Sequence, residues 1–235
     1  MSIVLSSVTL SRGGSVLFQD LSLSLTERRI GLIGDNGSGK TSLLRLIAGL
    51  QVPERGTVEV CGRDRRLHRR ELPGLVGLLF QNPEDQIIFP TVAEELSFSL
   101  TAIGVDRRTA KERALGFLAS EGLAPWSERA VSALSQGQRQ RLCLMALEIA
   151  GPRVLLLDEP FASLDLPTQA ALRNRLASAD RQILLSTHQL AWLGDFERVI
   201  WLESGRVRQD GAGAAVCAAY SADVAGRSAP AQPVS

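Results

Sequence analysis

One octapeptide constrains this chain more than any other stretch: Gly34-Asp35-Asn36-Gly37-Ser38-Gly39-Lys40-Thr41, a glycine, four residues, then Gly-Lys-Thr. It follows a compact apolar run, Ile30 to Gly34, and opens a helix-like stretch, Thr41 to Leu50, which Gly49 and Pro53 end. Between a strand and a helix, small residues let backbone N–H groups turn inward. The helix that follows offers unbonded N–H groups and the positive end of its dipole to an anion. The pattern predicts a phosphate-binding loop formed by Gly34, Asn36, Gly37, Ser38, Gly39, Lys40, Thr41 and Ser42. In such a loop Lys40 reaches the β and γ phosphates of a nucleotide and the Thr41 hydroxyl holds Mg²⁺. The competing reading, a glycine turn with a surface lysine, leaves the spacing without a purpose.

Short apolar runs recur at Leu75 to Phe80, Val154 to Leu157 and Ile183 to Leu185, each bounded by turn residues, as expected of buried parallel strands covered on both faces. Ahead of the loop, apolar residues alternate at Val4, Val8, Leu10, then Leu21, Leu23 and Leu25 around Gly13 and Gly14, which predicts an antiparallel meander. Residues from about 91 to 150 read as helical throughout, opened by Thr91 at capping-box spacing from Glu94. Two short strands are expected to flank Ser204 and Gly205. Beyond Gly211 the chain turns rich in Ala, Ser, Pro and Gly, so its last fifteen or so residues are expected to fray. The expected class is α/β.

Composition narrows the function. A chain of 235 residues with 45% apolar and 22% charged side chains can bury a sizeable core. Its 26 basic against 25 acidic side chains give a net charge of +1 and no global attraction to nucleic acid. The stretch Arg63, Arg65, Arg66, Arg69 and Arg70 has no aromatics between its cations, so a solvated loop is expected there in preference to a nucleic-acid or lipid-headgroup patch. Cys61, Cys143 and Cys217 are too scattered for a zinc or redox motif and read as reduced thiols of a cytosolic protein. The first residues lack the pattern of a targeting signal, and no run approaches the ~20 apolar residues that span a bilayer. Work at a membrane would require another chain.

A phosphate loop needs a second carboxylate to complete a metal site, and Val154-Leu155-Leu156-Leu157-Asp158-Glu159 supplies one at a strand end. Asp158 is the candidate for Mg²⁺ and Glu159 for general base, a role worth about 10²- to 10⁴-fold. Pro160 terminates the strand, leaving both acids at its carboxyl end, where ligands bind in open α/β sheets. Either acid alone would read as a solvated strand end.

Leu134-Ser135-Gln136-Gly137-Gln138 precedes a long helical stretch, with Ser135 placed to cap it and Gly137 to leave room for an anion. Taken in order, the phosphate loop, this LSQGQ, the LLLDEP strand, the Ala162-Ser163-Leu164-Asp165 turn and the LLSTH strand resemble the ATPase subunit of an ABC transporter. The similarity covers about residues 1–211, leaving 212–235 as a short C-terminal extension. It implies a P-loop NTPase (RecA-like) core, an N-terminal antiparallel β subdomain and an inserted α-helical signature subdomain at about 91–150. It also implies that Ser135, Gly137 and Gln138 contact the γ phosphate held by an opposite protomer. Gln136 departs from the usual glycine.

By the same resemblance Gln81 is the hinge glutamine that senses metal and attacking water, His188 the switch histidine near the γ phosphate, and Asp165 part of the turn that couples two sites. Read from the sequence alone, Asp165 caps the helix that Pro167 helps to start. Where family members place an aromatic residue to stack on adenine, this chain offers Arg12; either its guanidinium stacks on the base or it is a surface residue.

The segment from Asn82 to Phe98 is similar to that of ATPases in energy-coupling-factor importers, which take up vitamins or transition-metal ions. Ile87, Ile88 and Phe89 either line a groove for a partner helix or pack under the helical subdomain. By resemblance the partner is an integral membrane subunit bound through the groove near Gln81 to Phe89, with Glu84 and Asp85 meeting its basic residues. The chain is then peripheral, on the cytoplasmic face of the membrane. It would close as a homodimer, or as a heterodimer with a similar ATPase, around two Mg-ATP molecules. Its shortness resembles the ATPases of biotin systems more than the longer cobalt or nickel ones. A DNA-repair ATPase of the superfamily would carry a long coiled-coil insertion, and a small-molecule kinase would leave LSQGQ and His188 without roles.

Overall fold

The structure, a computed structural model, describes residues 1–68, 71–162 and 164–228. In chain order these form β1 (Ile3–Arg12), β2 (Ser15–Leu25), β3 (Arg29–Ile33), α1 (Lys40–Ala48), β4 (Arg55–Val60), β5 (Arg63–Asp64), α2 (Leu72–Leu75), β6 (Val76–Leu79), α3 (Val92–Thr101), α4 (Arg107–Ser120), α5 (Gln136–Ala150), β7 (Val154–Asp158), α6 (Leu166–Ser178), β8 (Gln182–Ser186), β9 (Arg198–Glu203), β10 (Arg206–Gly211) and α7 (Gly213–Ser228).

The strands make two sheets, an antiparallel one in the order β2-β1-β4-β5 and a second in the order β10-β9-β3-β8-β7-β6, parallel except for the β9–β10 hairpin. Strand β3 lies between β8 and β9, and β8 lies between β3 and β7. The carboxyl ends of β3, β8 and β7 therefore stand in one row, where open α/β sheets bind ligands. That order places three segments distant in sequence beside each other.

Helix α1 is packed between the sheets. Its Leu43, Leu44, Leu46 and Ile47 are fully buried with Phe18 and Leu25 of the antiparallel sheet and Leu32, Leu156 and Ile200 of the parallel one. Gly39 caps α1 in the left-handed region without a side-chain bond. A glycine in place of a capping side chain costs about a few tenths of a kcal/mol, whereas each buried aliphatic side chain contributes about 1.5–3 kcal/mol, so tertiary burial decides that this helix forms. On the opposite face of the parallel sheet a second cluster joins Leu157, Leu185, Trp201, Leu172 of α6 and Val216 of α7. A third cluster, with Val92, Leu96, Leu118, Leu142 and Met145, holds α3, α4 and α5 together as a unit of their own.

Several sequence expectations change. In β1 the core-facing residues are Ile3, Leu5, Val8 and Leu10, with Val4 on the other side. Ser7, at φ 48°, interrupts the pairing between Leu5 and Val8 and shifts the alternation by one residue. The stretch 91–150 is not helical throughout, because residues 121–135 form a connection with two short turns. At Thr91 the hydroxyl accepts from the Glu94 N–H and donates to the Glu94 carboxylate, which is only half of a capping box. The complete reciprocal box forms at Ser135 and Gln138. The arginine stretch is not uniformly solvated: Arg65 is 7% exposed beside Gly49, Arg63 pairs with Glu71, and Arg69 and Arg70 lie outside the described residues. Beyond Gly211 the chain forms α7, which runs through the first residues of the stretch expected to fray, because Val216 and Cys217 are buried against the parallel sheet; residues 229–235 lie outside the described residues. Among the described residues no helix is long and apolar enough to cross a membrane.

Candidate functional site

The loop after β3 turns sharply at Gly34, whose φ of 140° and lack of a side chain are both needed, since a Cβ there would lie 2.1 Å from the Leu202 carbonyl oxygen. Gly39, at φ 110°, lies so close to the Phe18 ring that a Cβ would approach it to 2.8 Å. The Gly205 N–H, from the β9–β10 turn, donates to the Ser38 carbonyl over 3.0 Å and holds the loop from the far side.

Lys40 is 8% exposed, and its Nζ donates to the Gly34 and Asp35 carbonyls at 2.7 and 3.0 Å. Burial lowers its pKa, opposed by the charges of Glu159, Asp158 and Asp35. The Thr41 hydroxyl donates to Asp158 Oδ2 over 2.7 Å. These are hard oxygen donors. Among the described residues no three His, Cys, Asp or Glu cluster as a cage. Thr41 and Asp158 therefore fit Mg²⁺, a cation that takes its remaining ligands from phosphates and water, better than a metal caged wholly by protein. The Ser38 hydroxyl is buried without a hydrogen-bond partner, as expected of a donor that awaits an anion.

Glu159 follows Asp158 with φ 49°, a left-handed conformation unusual for a glutamate, and its N–H donates to the Ser186 carbonyl. One carboxylate oxygen accepts from the Thr187 hydroxyl at 3.3 Å; the other lies 3.5 Å from His188 Nε2 and has no hydrogen bond. Burial, and then the charge of Asp158, push its pKa above the usual carboxylate range. His188 shifts downward through burial and then the Lys40 charge. A carboxylate with raised basicity beside a neutral imidazole can accept a proton from a bound water.

Arg12, Asn36, Gly37, Gly39, Lys40, Thr41, Ser42, Gln81, Asp158, Glu159 and His188 line one cavity of about 410 Å³. Val16 and Leu17 line it as well; the sequence carries no signal for either. Thr187 is a further addition, visible in sequence only as the neighbour of His188.

Four expected site residues, Ser135, Gly137, Gln138 and Asp165, stand apart from this cavity. Ser135 caps α5 by accepting from the Gln138 N–H, and Gln138 returns a bond to the Ser135 N–H, so both belong with Gly137 to the helical unit. Asp165 caps α6 by accepting from the Thr168 N–H at 2.9 Å. Ser163, in the same turn, lies outside the described residues.

The apolar run after Gln81 divides. Ile87 packs partly buried among two core clusters, whereas Ile88 is 69% exposed. Phe89 packs against Phe98 with ring centres 4.9 Å apart and planes tilted by 39°, at one side of a groove of about 690 Å³ that also holds Thr101, Arg107 and Lys111. Glu84 is paired with Arg139 of α5, which takes up the carboxylate expected to meet a partner's cation. Asp85 lines a smaller cleft with Arg45 and Gln81.

Residues 18–162 match the family profile described as ABC transporter. The chain is 49% identical over 215 residues to "Biotin transport ATP-binding protein BioM" of Rhodobacter capsulatus, covering 92% of each chain. It is 35% identical over 213 residues to "Energy-coupling factor transporter ATP-binding protein EcfA1" of Thermotoga maritima, covering 88% of this chain and 80% of that one. Among solved structures, the dimeric ATP-binding cassette MJ0796 bound to ADP and phosphate superimposes with a TM-score of 0.77 at 23% identity, over 89% of this chain and 98% of that one.

Proposed function

This chain belongs to the ABC transporter ATP-binding family and is an ATPase, and we propose that it energises an energy-coupling-factor importer that carries biotin. The substrate follows from the kinship to the R. capsulatus protein, and the importer class also from the T. maritima one.

One observation carries the mechanism. The phosphate loop, Asp158, Glu159 and His188 converge on a single cavity, while Ser135, Gly137 and Gln138 lie outside it on the helical unit. A second protomer, identical or similar, would bring its own α5 amino end to the phosphates. The Ser135 hydroxyl and the N–H groups of that helix end would then face the γ phosphate. In this reading Lys40 leaves the Gly34 and Asp35 carbonyls for the β and γ oxygens, and the Ser38 hydroxyl and loop N–H groups complete the cradle. Thr41, Asp158 and Gln81 would hold Mg²⁺, which neutralises phosphate charge when bound. Glu159 accepts the proton of the attacking water as the bond from the γ phosphorus to the β oxygen breaks. His188 donates to the γ phosphate. Arg12, exposed at the cavity mouth, is placed to lie over adenine.

Residues 1–211 form the ATP-binding domain in this reading, with α7 as an extension that returns to it. Ile88, Phe89 and the adjoining groove receive a helix of an integral membrane subunit, which sets the chain peripherally on the cytoplasmic face of the membrane. Reconstitution with a co-purified membrane subunit in vesicles tests the whole. Labelled biotin is expected to accumulate only with Mg-ATP. Hydrolysis without biotin uptake would reject the substrate, and absent phosphate release would reject the site.

A further inference from the structure

Helix α7 reaches back to the phosphate loop. Val216 and Cys217 anchor it on the parallel sheet, and the Tyr220 ring meets Trp201 edge-on at 5.1 Å. From there the Tyr220 hydroxyl donates to Asp35 Oδ1 over 2.9 Å. Two turns further on, the Arg227 Nη1 meets Asp35 Oδ2 at 2.6 Å and its Nη2 lies 3.3 Å from Oδ1, so both carboxylate oxygens are engaged. Arg227 is itself held by Asp223, 2.8 Å from its Nε, and Asp223 by Arg208, whose guanidinium lies 4.1 Å over Trp201.

Asp35 is an awkward residue for a loop that receives a triphosphate, because a carboxylate repels one. Its main-chain oxygen already accepts from Lys40, and its charge is felt at Lys40 and at His188. The hydrogen bonds from Arg227 and then Tyr220 hold its pKa down at about 2, so it is ionised at neutral pH and must be balanced by charge.

We propose that Arg227 and Tyr220 are positioning residues for the nucleotide: from α7 they neutralise and orient Asp35, so that the phosphate loop accepts the triphosphate without an opposing carboxylate. This rests on the reading of Gly34–Thr41 as the nucleotide loop. ATP affinity then depends on a helix that touches no phosphate. A bidentate guanidinium on an exposed carboxylate is worth little for folding but more where a polyanion binds next to it.

Titration of the full chain with ATP tests this. Arg227→Ala is expected to weaken binding about tenfold, roughly 1.4 kcal/mol, with kcat reduced far less. Arg227→Lys should keep most of the affinity. Asp35→Asn added to Arg227→Ala should restore it, since the uncompensated charge is gone, and the Arg227→Ala defect should shrink at high salt. If Arg227→Ala does not fold, Arg227→Lys and the double variant remain to be read. Undiminished affinity in Arg227→Ala, or a double variant as weak as the single one, would overturn the proposal. Lys40→Ala run alongside separates the two readings: if it too binds ATP normally, the nucleotide loop itself is misassigned.

Discussion

Thr41 and Asp158, 117 residues apart in the chain, are joined by a hydrogen bond of 2.7 Å from the threonine hydroxyl to the carboxylate. The first residue to follow the loop lysine and the last residue of a buried strand thus arrive at one point, with oxygens of both facing the cavity where phosphates would lie. The pairing follows from strand order, because β8 alone separates β3 from β7.

If that pair holds Mg²⁺, Asp158→Asn should remove the metal's contribution to ATP binding while sparing binding without metal. ATP titrations with and without Mg²⁺ check this. The parent should gain affinity on adding the ion and the variant should not, with turnover reduced at least 100-fold.

Glu159 is buried, raised in pKa and bonded by Thr187, and it keeps one carboxylate oxygen free of hydrogen bonds. Glu159→Gln preserves shape and removes basicity, so phosphate release should fall about 10²- to 10⁴-fold with ATP binding retained. Gel filtration with Mg-ATP should show a dimer in the variant. Unchanged turnover would take Glu159 out of the role of base.

His188 should be neutral at pH 7, because burial and the Lys40 charge lower its pKa from 6.5. The sign is fixed: below pH 6.5 the unfolded chain takes the proton before the folded one, so this group's contribution to stability falls as pH drops and is constant above. An NMR titration of the imidazole should place its midpoint below 6.5. In Lys40→Met the midpoint should rise.

Charged replacements at Ile88, which is 69% exposed, should abolish assembly with the membrane subunit and leave basal ATP hydrolysis within a factor of about two. Phe89 packs on Phe98, so Phe89→Asp should also lower stability, by roughly 1–3 kcal/mol. A pull-down that retains the partner with both variants would show that the groove is not its seat.

Much of this site could be read from sequence because its parts are contiguous. The phosphate loop is defined by glycines at fixed offsets and by the helix they open, and Asp158 and Glu159 by their place at the end of an apolar run. Ser135 was legible as a cap for the same reason. Val4 falls out of the alternation that groups it with Val8 and Leu10 because a single left-handed residue, Ser7, resets a two-residue period, and no composition marks it. The apolar spacing of α4 and α5 runs past their ends, so residues 121–135 carry a helical pattern where the structure has a connection. The alanine-rich tail concealed α7, whose stability comes from Val216 and Cys217 landing on the sheet.

What the chain determined by itself, then, is local: which residues turn, which cap, which bury, and so that a nucleotide's phosphates have a cradle. Only the tertiary structure decided that Arg227 would reach Asp35 across 192 residues, that Glu84 would be taken by Arg139, and that Ser135 would stand away from the cavity. The physical reason is range. Backbone turns and caps are satisfied within a few residues of themselves, while an ion pair or a metal pair exists only where strand order and helix packing carry two distant side chains to one place.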